Sequence, residues 1–414
     1  MMKKIAYISI LTSLIGVSAF SIDLGIFQLS LFRAIIILMV IGLLIRLLLK
    51  NGKITFINKD ESNYSIMVMI SWLIYAMISL GWVKDYGDWF RALYFISLGV
   101  LCIILYSRIF KTTDDILVVF RLLSIMAIVH NVIGWYEINT GNYIFLSTGI
   151  EQYVRNNYPV SMFNNTNDFA LFMLMSIFFL YVCAVNSKNV LWKIINIITI
   201  FSSAYLLIIT GSRANILGFV LAFSLYIYMS MKNKSGRRTM LTILILLFIF
   251  ILINPNALQS YIIMINQNFN SDLVFGSDSV RINLIKNGFE FLLNTFGFGT
   301  GAGNIEYWME NYGTYYTGGI VNIHNWWMEI LTGYGIVIFV LYITFYLRLF
   351  RSLYRKYRTT KDKKNMTISL ALMCCMAGFV IGSISSSSNI SSEWLWVFWA
   401  VAIAFQGIST IIEK

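Results

Sequence analysis

Apolar runs alternate with short polar breaks along almost the whole chain. Runs of about 17–25 apolar residues are long enough to cross roughly 30 Å of hydrocarbon as helices. They fall at 5–22, 31–49, 65–83, 91–107, 115–136, 168–186, 192–210, 213–231, 239–254, 326–347, 366–387 and 394–412. The pattern predicts an all-α fold, a polytopic membrane bundle of about twelve transmembrane helices. Gly211-Ser212-Arg213 leaves almost no loop between the seventh and eighth runs. The run after Met1-Met2-Lys3-Lys4 reads as an uncleaved first span rather than a signal peptide. No loop is large enough for a soluble domain, and no repeat of 20–50 residues is visible. Residues 1–414 therefore read as a single integral membrane domain.

One interval breaks the pattern. Residues 255–325 form a polar stretch of about 70 residues, where an ordinary connection has roughly 4–6. Inside it, Ser277-Asp278-Ser279 is a good helix start, and Ile282, Ile285, Phe289 and Leu292 recur at helical spacing. Asn283, Lys286, Asn287 and Glu290 fall on the other side, which predicts a short amphipathic helix lying on the membrane surface. Gly297, Gly299, Gly301 and Gly303 end that helix and permit close backbone approach. A smaller polar segment, 139–167, ends in Asn164 to Asp168, which offers capping groups for the next helix.

Composition agrees with the pattern. The chain is 58% hydrophobic and 12% charged, against about 25% charged in a soluble domain; its mean hydropathy is +0.74. The charges orient the bundle. With both termini cytoplasmic, the inner segments hold 23 of the 31 Lys and Arg residues, as the positive-inside rule requires. The formal charge of +12 is thereby accounted for without nucleic acid. The 255–325 interval becomes one long extracytoplasmic loop of a protein of the cytoplasmic membrane. Cys102, Cys183, Cys374 and Cys375 all lie inside apolar runs, so no disulfide framework is expected, and Cys374-Cys375 lacks metal-ligand spacing.

The residues able to carry chemistry gather on the outer side. His324, one of two histidines, sits where the long loop meets a span and is a candidate proton acceptor. His130 lies well inside the fifth span, where packing explains it better. Arg213 interrupts apolar sequence on both sides, a costly position that usually has a job. Arg281 sits in the first turn of the surface helix. Two guanidiniums on different elements suit a diphosphate, because their forked donors match phosphate oxygens. Arg33, Arg91, Arg155 and Lys286 are further outer cations able to attract an anionic headgroup, whereas Arg121 is intramembrane. Among carboxylates, Glu329 follows His324 by five residues and can orient the imidazole or an arginine; Asp168, Glu137 and Glu393 also lie near outer ends. Supporting roles are assigned to Glu329, Asp168 and Lys286. Trp326, Trp327, Trp394, Trp396 and Trp399 fit an interfacial aromatic belt.

Other chemistries lack their signatures. The glycine run has no following Lys-Ser/Thr and follows no strand, so it is not a nucleotide loop. No His/Cys/Asp/Glu cluster has metal-ligand spacing, and Gly-x-Ser-x-Gly is absent. A rival class is a twelve-span transporter such as a lipid-linked oligosaccharide flippase, which predicts intramembrane charges along a central path and inverted repeats.

Taken in order, several motifs resemble the O-antigen ligase and Wzy-type polymerase superfamily. They are Thr-Gly-Ser-Arg-Ala at 210–214, Ser-x-Arg-Ile at 279–282, Gly-Phe-Gly-Thr-Gly-Ala-Gly-Asn at 297–304, and His324-Asn325 followed by Trp-x-Met-Glu-x-Leu-x-x-x-Gly. Phe-Asn-Asn-Thr-Asn-Asp-Phe-Ala at 163–170 looks like the family's earlier outer motif. The resemblance covers about 160 to 340. It implies a GT-C-like membrane glycosyltransferase that works without metal or cofactor on a polyprenyl-diphosphate-linked glycan and a glycan acceptor. It further implies Arg213 and Arg281 as diphosphate binders and His324 as the base for the acceptor hydroxyl. A polymerase of capsule, exopolysaccharide or O-antigen repeat units is preferred over a ligase, on the breadth of the superfamily and not on a residue. A flippase and a chain-length regulator are the expected protein partners.

Overall fold

The computed structural model describes residues 2–16, 20–23, 28–50, 61–145, 150–231, 277–386 and 389–408. The expected span 239–254 and the first part of the long loop, 255–276, lie outside them. The described chain is almost wholly helical: α1 (Met2–Thr12), α2 (Leu31–Lys50), α3 (Ser62–Ile78), α4 (Tyr86–Ile109), α5 (Thr113–Thr140), α6 (Ile150–Asn156), α7 (Thr166–Asn186), α8 (Val190–Ile209), α9 (Arg213–Ser230), α10 (Ser277–Asn294), α11 (Ile305–Tyr312), α12 (Trp326–Thr359), α13 (Lys363–Gly382) and α14 (Glu393–Gly407). A small antiparallel hairpin pairs β1 (Ser21–Asp23) with β2 (Gln28–Ser30).

Among the described residues, eight helices are long and apolar enough to span a bilayer: α3, α4, α5, α7, α8, α9, α12 and α13. The protein is an all-α, multi-pass membrane protein. The first expected span is a correction. α1 covers 11 residues, about 17 Å of helix at 1.5 Å per residue, against roughly 30 Å of hydrocarbon. The helix ends in a turn after Thr12, and Ser21 and Ile22, expected within the span, pair as strand with Ser30 and Leu29.

Helix starts are written locally. Asp85 accepts from the Asp88 amide to begin α4, and Thr112 with Asp115 forms a capping box on α5. Asn165 caps α7 as the sequence predicted, and its side-chain amide also donates to Asp168 at 2.6 Å. Asp168 therefore serves the start of α7.

Helix ends sort into two sets. At one end, Glu61 accepts from Ser352 (2.6 Å) and Arg355 (2.5 Å), Lys364 pairs with Asp114 (2.7 Å), and Lys356 donates to the Ile408 carbonyl (2.8 Å). This is the lysine- and arginine-rich end. At the other end lie the α3–α4 turn, the glycine run, and the starts of α7, α9 and α12. The core between them is aromatic. Trp72 of α3 packs within about 6 Å of Trp326, Tyr334, Tyr342 and Trp396. Here the expected aromatic belt is corrected. Trp326, Trp394, Trp396 and Trp399 are buried inside the protein, because ring-to-ring packing between α3, α12 and α14 outweighs an interfacial position. Only Trp327 is partly exposed, its indole N–H donating to the Val380 carbonyl at 2.9 Å.

Candidate functional site

The site is built on a broken helix. Gly335, about two and a half turns into α12, has φ 76 and ψ 178, outside helical geometry. The break frees backbone groups, and the glycine run takes them up. The Thr300 and Gly301 amides donate to the Thr332 and Gly333 carbonyls at 2.8 and 3.0 Å, and the Ile336 amide donates to the Gly297 carbonyl at 3.0 Å. Non-helical backbone in a membrane bundle needs such partners. The other side of the run grips the α3–α4 turn. Tyr75 and Trp82 donate to the Phe298 and Gly299 carbonyls, and buried Asn304 accepts from the Lys84 and Asp85 amides at 2.8 and 2.7 Å. The run is a backbone staple.

Helices α10 and α11 cover this staple with a small core of Leu284, Phe291, Ile305, Met309, Ile323 and Met328. Ile282 and Phe289 of α10 are exposed; the departure from the sequence expectation is Asn287, expected on the polar side and fully buried. The reason is that Asn287 satisfies a turn: its Oδ1 accepts from the Thr314 and Tyr315 amides at 3.1 and 2.8 Å. A buried amide with good partners outcompetes apolar patterning here.

His324 stands immediately before Asn325, the cap of α12, whose side chain accepts from the Trp327 and Met328 amides. Its φ is 46, a left-handed conformation that non-glycine residues rarely hold. The His324 amide donates to Asn322 Oδ1 (2.9 Å), and Asn322 Nδ2 donates to Glu306 Oε1 (2.9 Å), which fixes the corner. The half-buried ring lies beside the Ser386 carbonyl and feels the charges of Arg281 and Glu306. Burial first, and the Arg281 charge second, hold the imidazole below its ordinary pKa near 6.5; Glu306 and the Ser386 carbonyl oppose them. With only two histidines in the chain, an NMR titration resolves this group. The midpoint is expected below 6.5, rising in Arg281→Gln and falling further in Glu306→Gln. The opposite order would overturn this electrostatic account.

Arg213 occupies the first turn of α9 and is exposed. The start of α9 that carries it and the His324 corner share a neighbour. Ser212 Oγ and Asn215 Nδ2 both lie 3.4 Å from Ser385 Oγ, one residue from Ser386. The Trp326 amide also donates to the Ser383 carbonyl at 3.1 Å. A serine turn after α13 thus touches the start of α9, the start of α12 and the histidine. Sequence reasoning missed it and absorbed it into the preceding span. The density of serines from 383 to 392 was the available signal.

The remaining candidates separate. Glu306, unremarked in the sequence, is the carboxylate that acts on His324. Glu329 instead lines a cleft of about 180 Å³ together with Asp88, Arg91, Glu306, Asn322 and Tyr334. Lys286 lies over the Tyr315 ring, 5.1 Å from its centroid. Arg33 is no headgroup cation: it is 3% exposed and paired with buried Glu393 at 2.6 Å, because an intramembrane guanidinium requires a counter-charge. His130 is buried, with one ring nitrogen 2.8 Å from Ser161 Oγ and the other 2.9 Å from the Leu14 carbonyl, and Glu137 accepts from the Val160 and Ser161 amides. Both are structural. Among the described residues no group of His, Cys, Asp and Glu is placed to hold a metal ion.

Two comparisons bear on this geometry. The family model described as O-antigen ligase matches residues 198–343, a range that runs from α8 into α12 and includes Arg213, Arg281, the glycine run and His324. The teichuronic acid biosynthesis protein TuaE of Bacillus subtilis (strain 168) is 29% identical over 408 residues, covering 97% of this chain and 83% of the relative.

Proposed function

We propose, from its match to the O-antigen ligase family model and its similarity to a teichuronic acid biosynthesis protein, that this chain polymerises a cell-envelope polysaccharide from polyprenyl-diphosphate-linked repeat units at the outer face of the cytoplasmic membrane. The observation that carries the reading is the setting of His324. Its half-buried ring lies beside the Ser386 carbonyl, and the charges of Arg281 and Glu306 act on it. The Arg213 end of α9 rests on the same serine turn.

In the proposed step, an acceptor sugar hydroxyl attacks the anomeric carbon of the donor. The neutral His324 imidazole takes the hydroxyl proton. The bond from the anomeric carbon to the diphosphate oxygen breaks, and its electron pair leaves with the polyprenyl diphosphate. Arg213 and Arg281 bind that group and stabilise the charge growing on it. The lowered pKa of His324 keeps the base neutral through the physiological range. Two fixed cations supply the charge compensation, so the step is written without a metal ion. Arg213→Ala and Arg281→Ala are each expected to lower kcat/KM by about 10²–10³-fold, the usual loss for one oxyanion-stabilising donor. Full activity in either variant removes that arginine from the mechanism.

The test of the reading itself is product length. Purified protein in liposomes, given lipid-linked repeat units, should yield a ladder of lengthening lipid-linked glycans. The ligase reading, which the family model's description favours, uses the same donor and base but transfers a glycan once to a different acceptor. A single transfer product would select it. Movement of the lipid across the bilayer with no new glycosidic bond would overturn both.

A further inference from the structure

We infer that the cleft beside His324 is the acceptor-sugar subsite, and that it takes a neutral or amino sugar ring rather than an acidic one. The inference rests on the transferase reading above, and its evidence is separate from the arginines. The cleft holds about 180 Å³, less than the roughly 300–1,000 Å³ of sites for drug-sized ligands. That size suits one sugar ring with its substituents.

Tyr334 marks the cleft as a place for a ligand. It lines the cavity at 1% exposure, and its hydroxyl finds no hydrogen-bond partner among the described residues. Buried hydroxyls are normally paired. The Glu329 charge acts on this phenol, and Glu329 lines the same cavity, so the two polar groups are neighbours there. A hydroxyl-rich ligand supplies the missing partner.

The lining selects the ligand's chemistry. Asp88, Glu306 and Glu329 present hydrogen-bond acceptors, while Arg91, paired with Asp88 at 3.1 Å, is the single lining cation among the described residues. Sugar hydroxyls and ammonium groups donate to carboxylates, whereas a uronate or a phosphate meets net repulsion. The Phe95 ring, also in the lining, offers an apolar face to the carbon side of a pyranose. Position then connects the cleft to the chemistry. Asn322 and Ile323 line it directly before His324, and Glu306 both lines it and acts on the imidazole. A ring seated here presents a hydroxyl to the base. Arg213 and Arg281 are absent from the lining, so donor diphosphate and acceptor sugar occupy separate subsites.

The experiment uses full-length protein in detergent and two probes: undecaprenyl diphosphate, and the oligosaccharide released by mild acid from the host's own lipid-linked repeat unit. Calorimetry should show the oligosaccharide binding to the wild type and at least fivefold more weakly to Tyr334→Phe and Asp88→Asn, with undecaprenyl diphosphate unaffected. Tyr334→Phe deletes an atom without a protein partner, so its melting temperature should not fall. Arg213→Ala should show the converse, losing the diphosphate and keeping the sugar. Equal oligosaccharide binding by the wild type and both cleft variants, or no binding to the wild type, overturns the subsite. Tighter binding of glucuronate than of a neutral methyl glycoside overturns the charge argument. Failure of undecaprenyl diphosphate to bind the wild type would count against the transferase reading and leave the sugar result standing.

Discussion

His324→Ala lowers the rate of glycan transfer by about 10²–10⁴-fold, the usual contribution of a positioned general base, while the protein still inserts and folds. The loss should fall on kcat, because in the proposed step the imidazole takes a proton and does not bind the donor diphosphate. The backbone complicates the alanine variant, since residue 324 holds φ 46. Asparagine tolerates that region better than most residues, so His324→Asn preserves the corner while removing the base. Both variants are expected to bind undecaprenyl diphosphate and to produce no ladder in liposomes. A ladder formed at the wild-type rate by the asparagine variant would dismiss His324 as the base.

The second large effect is on stability. In Gly303→Ala the new Cβ would sit 2.2 Å from the Asp88 carbonyl oxygen, and in Gly335→Ala 2.4 Å from the Gly297 carbonyl oxygen. Real contacts of this kind are never so short, and backbone cannot swing aside as a side chain can. Each glycine also has positive φ, 71 and 76. Strain of about 1–3 kcal/mol for the dihedrals and about 1–3 kcal/mol for overpacking together remove roughly 2–6 kcal/mol, a large share of a typical stability of about 5–15 kcal/mol. Thermal unfolding in detergent measures it. Gly81→Ala is the control, since an added Cβ there meets nothing within 4 Å. Equal melting of all three variants would show that the staple carries no strain-sensitive load.

Much of the bundle was legible because membrane helices announce themselves by run length alone. Where other forces intervened, reading the sequence failed for identifiable reasons. The 5–22 run is mostly apolar, yet its helix ends at Thr12 and Ser21–Asp23 pair as strand with Gln28–Ser30. Apolar content does not separate a strand from a helix in so short a run. Tryptophans near helix ends looked interfacial, but one sequence cannot say which side of a helix meets Trp72. Asn287 is polar and buried because its partners lie nearly 30 residues away in the turn at 314–315. The site divided along the same line. His324, Arg213 and Arg281 stand out as polar residues in unusual places. Glu306 and the serine turn act only through distant neighbours, and Tyr334 looks like any apolar helix residue until its unpaired hydroxyl is seen.

The interrupted helix carries an implication for biogenesis. The Thr332 and Gly333 carbonyls find their donors in Thr300 and Gly301, and the same strip is clamped by Tyr75, Trp82 and Asn304 to the turn between α3 and α4. None of these groups can be satisfied until three distant stretches of chain have emerged and met. The spanning portions can insert one after another, but this staple can close only once residues 75–85, 297–304 and 332–336 are all present.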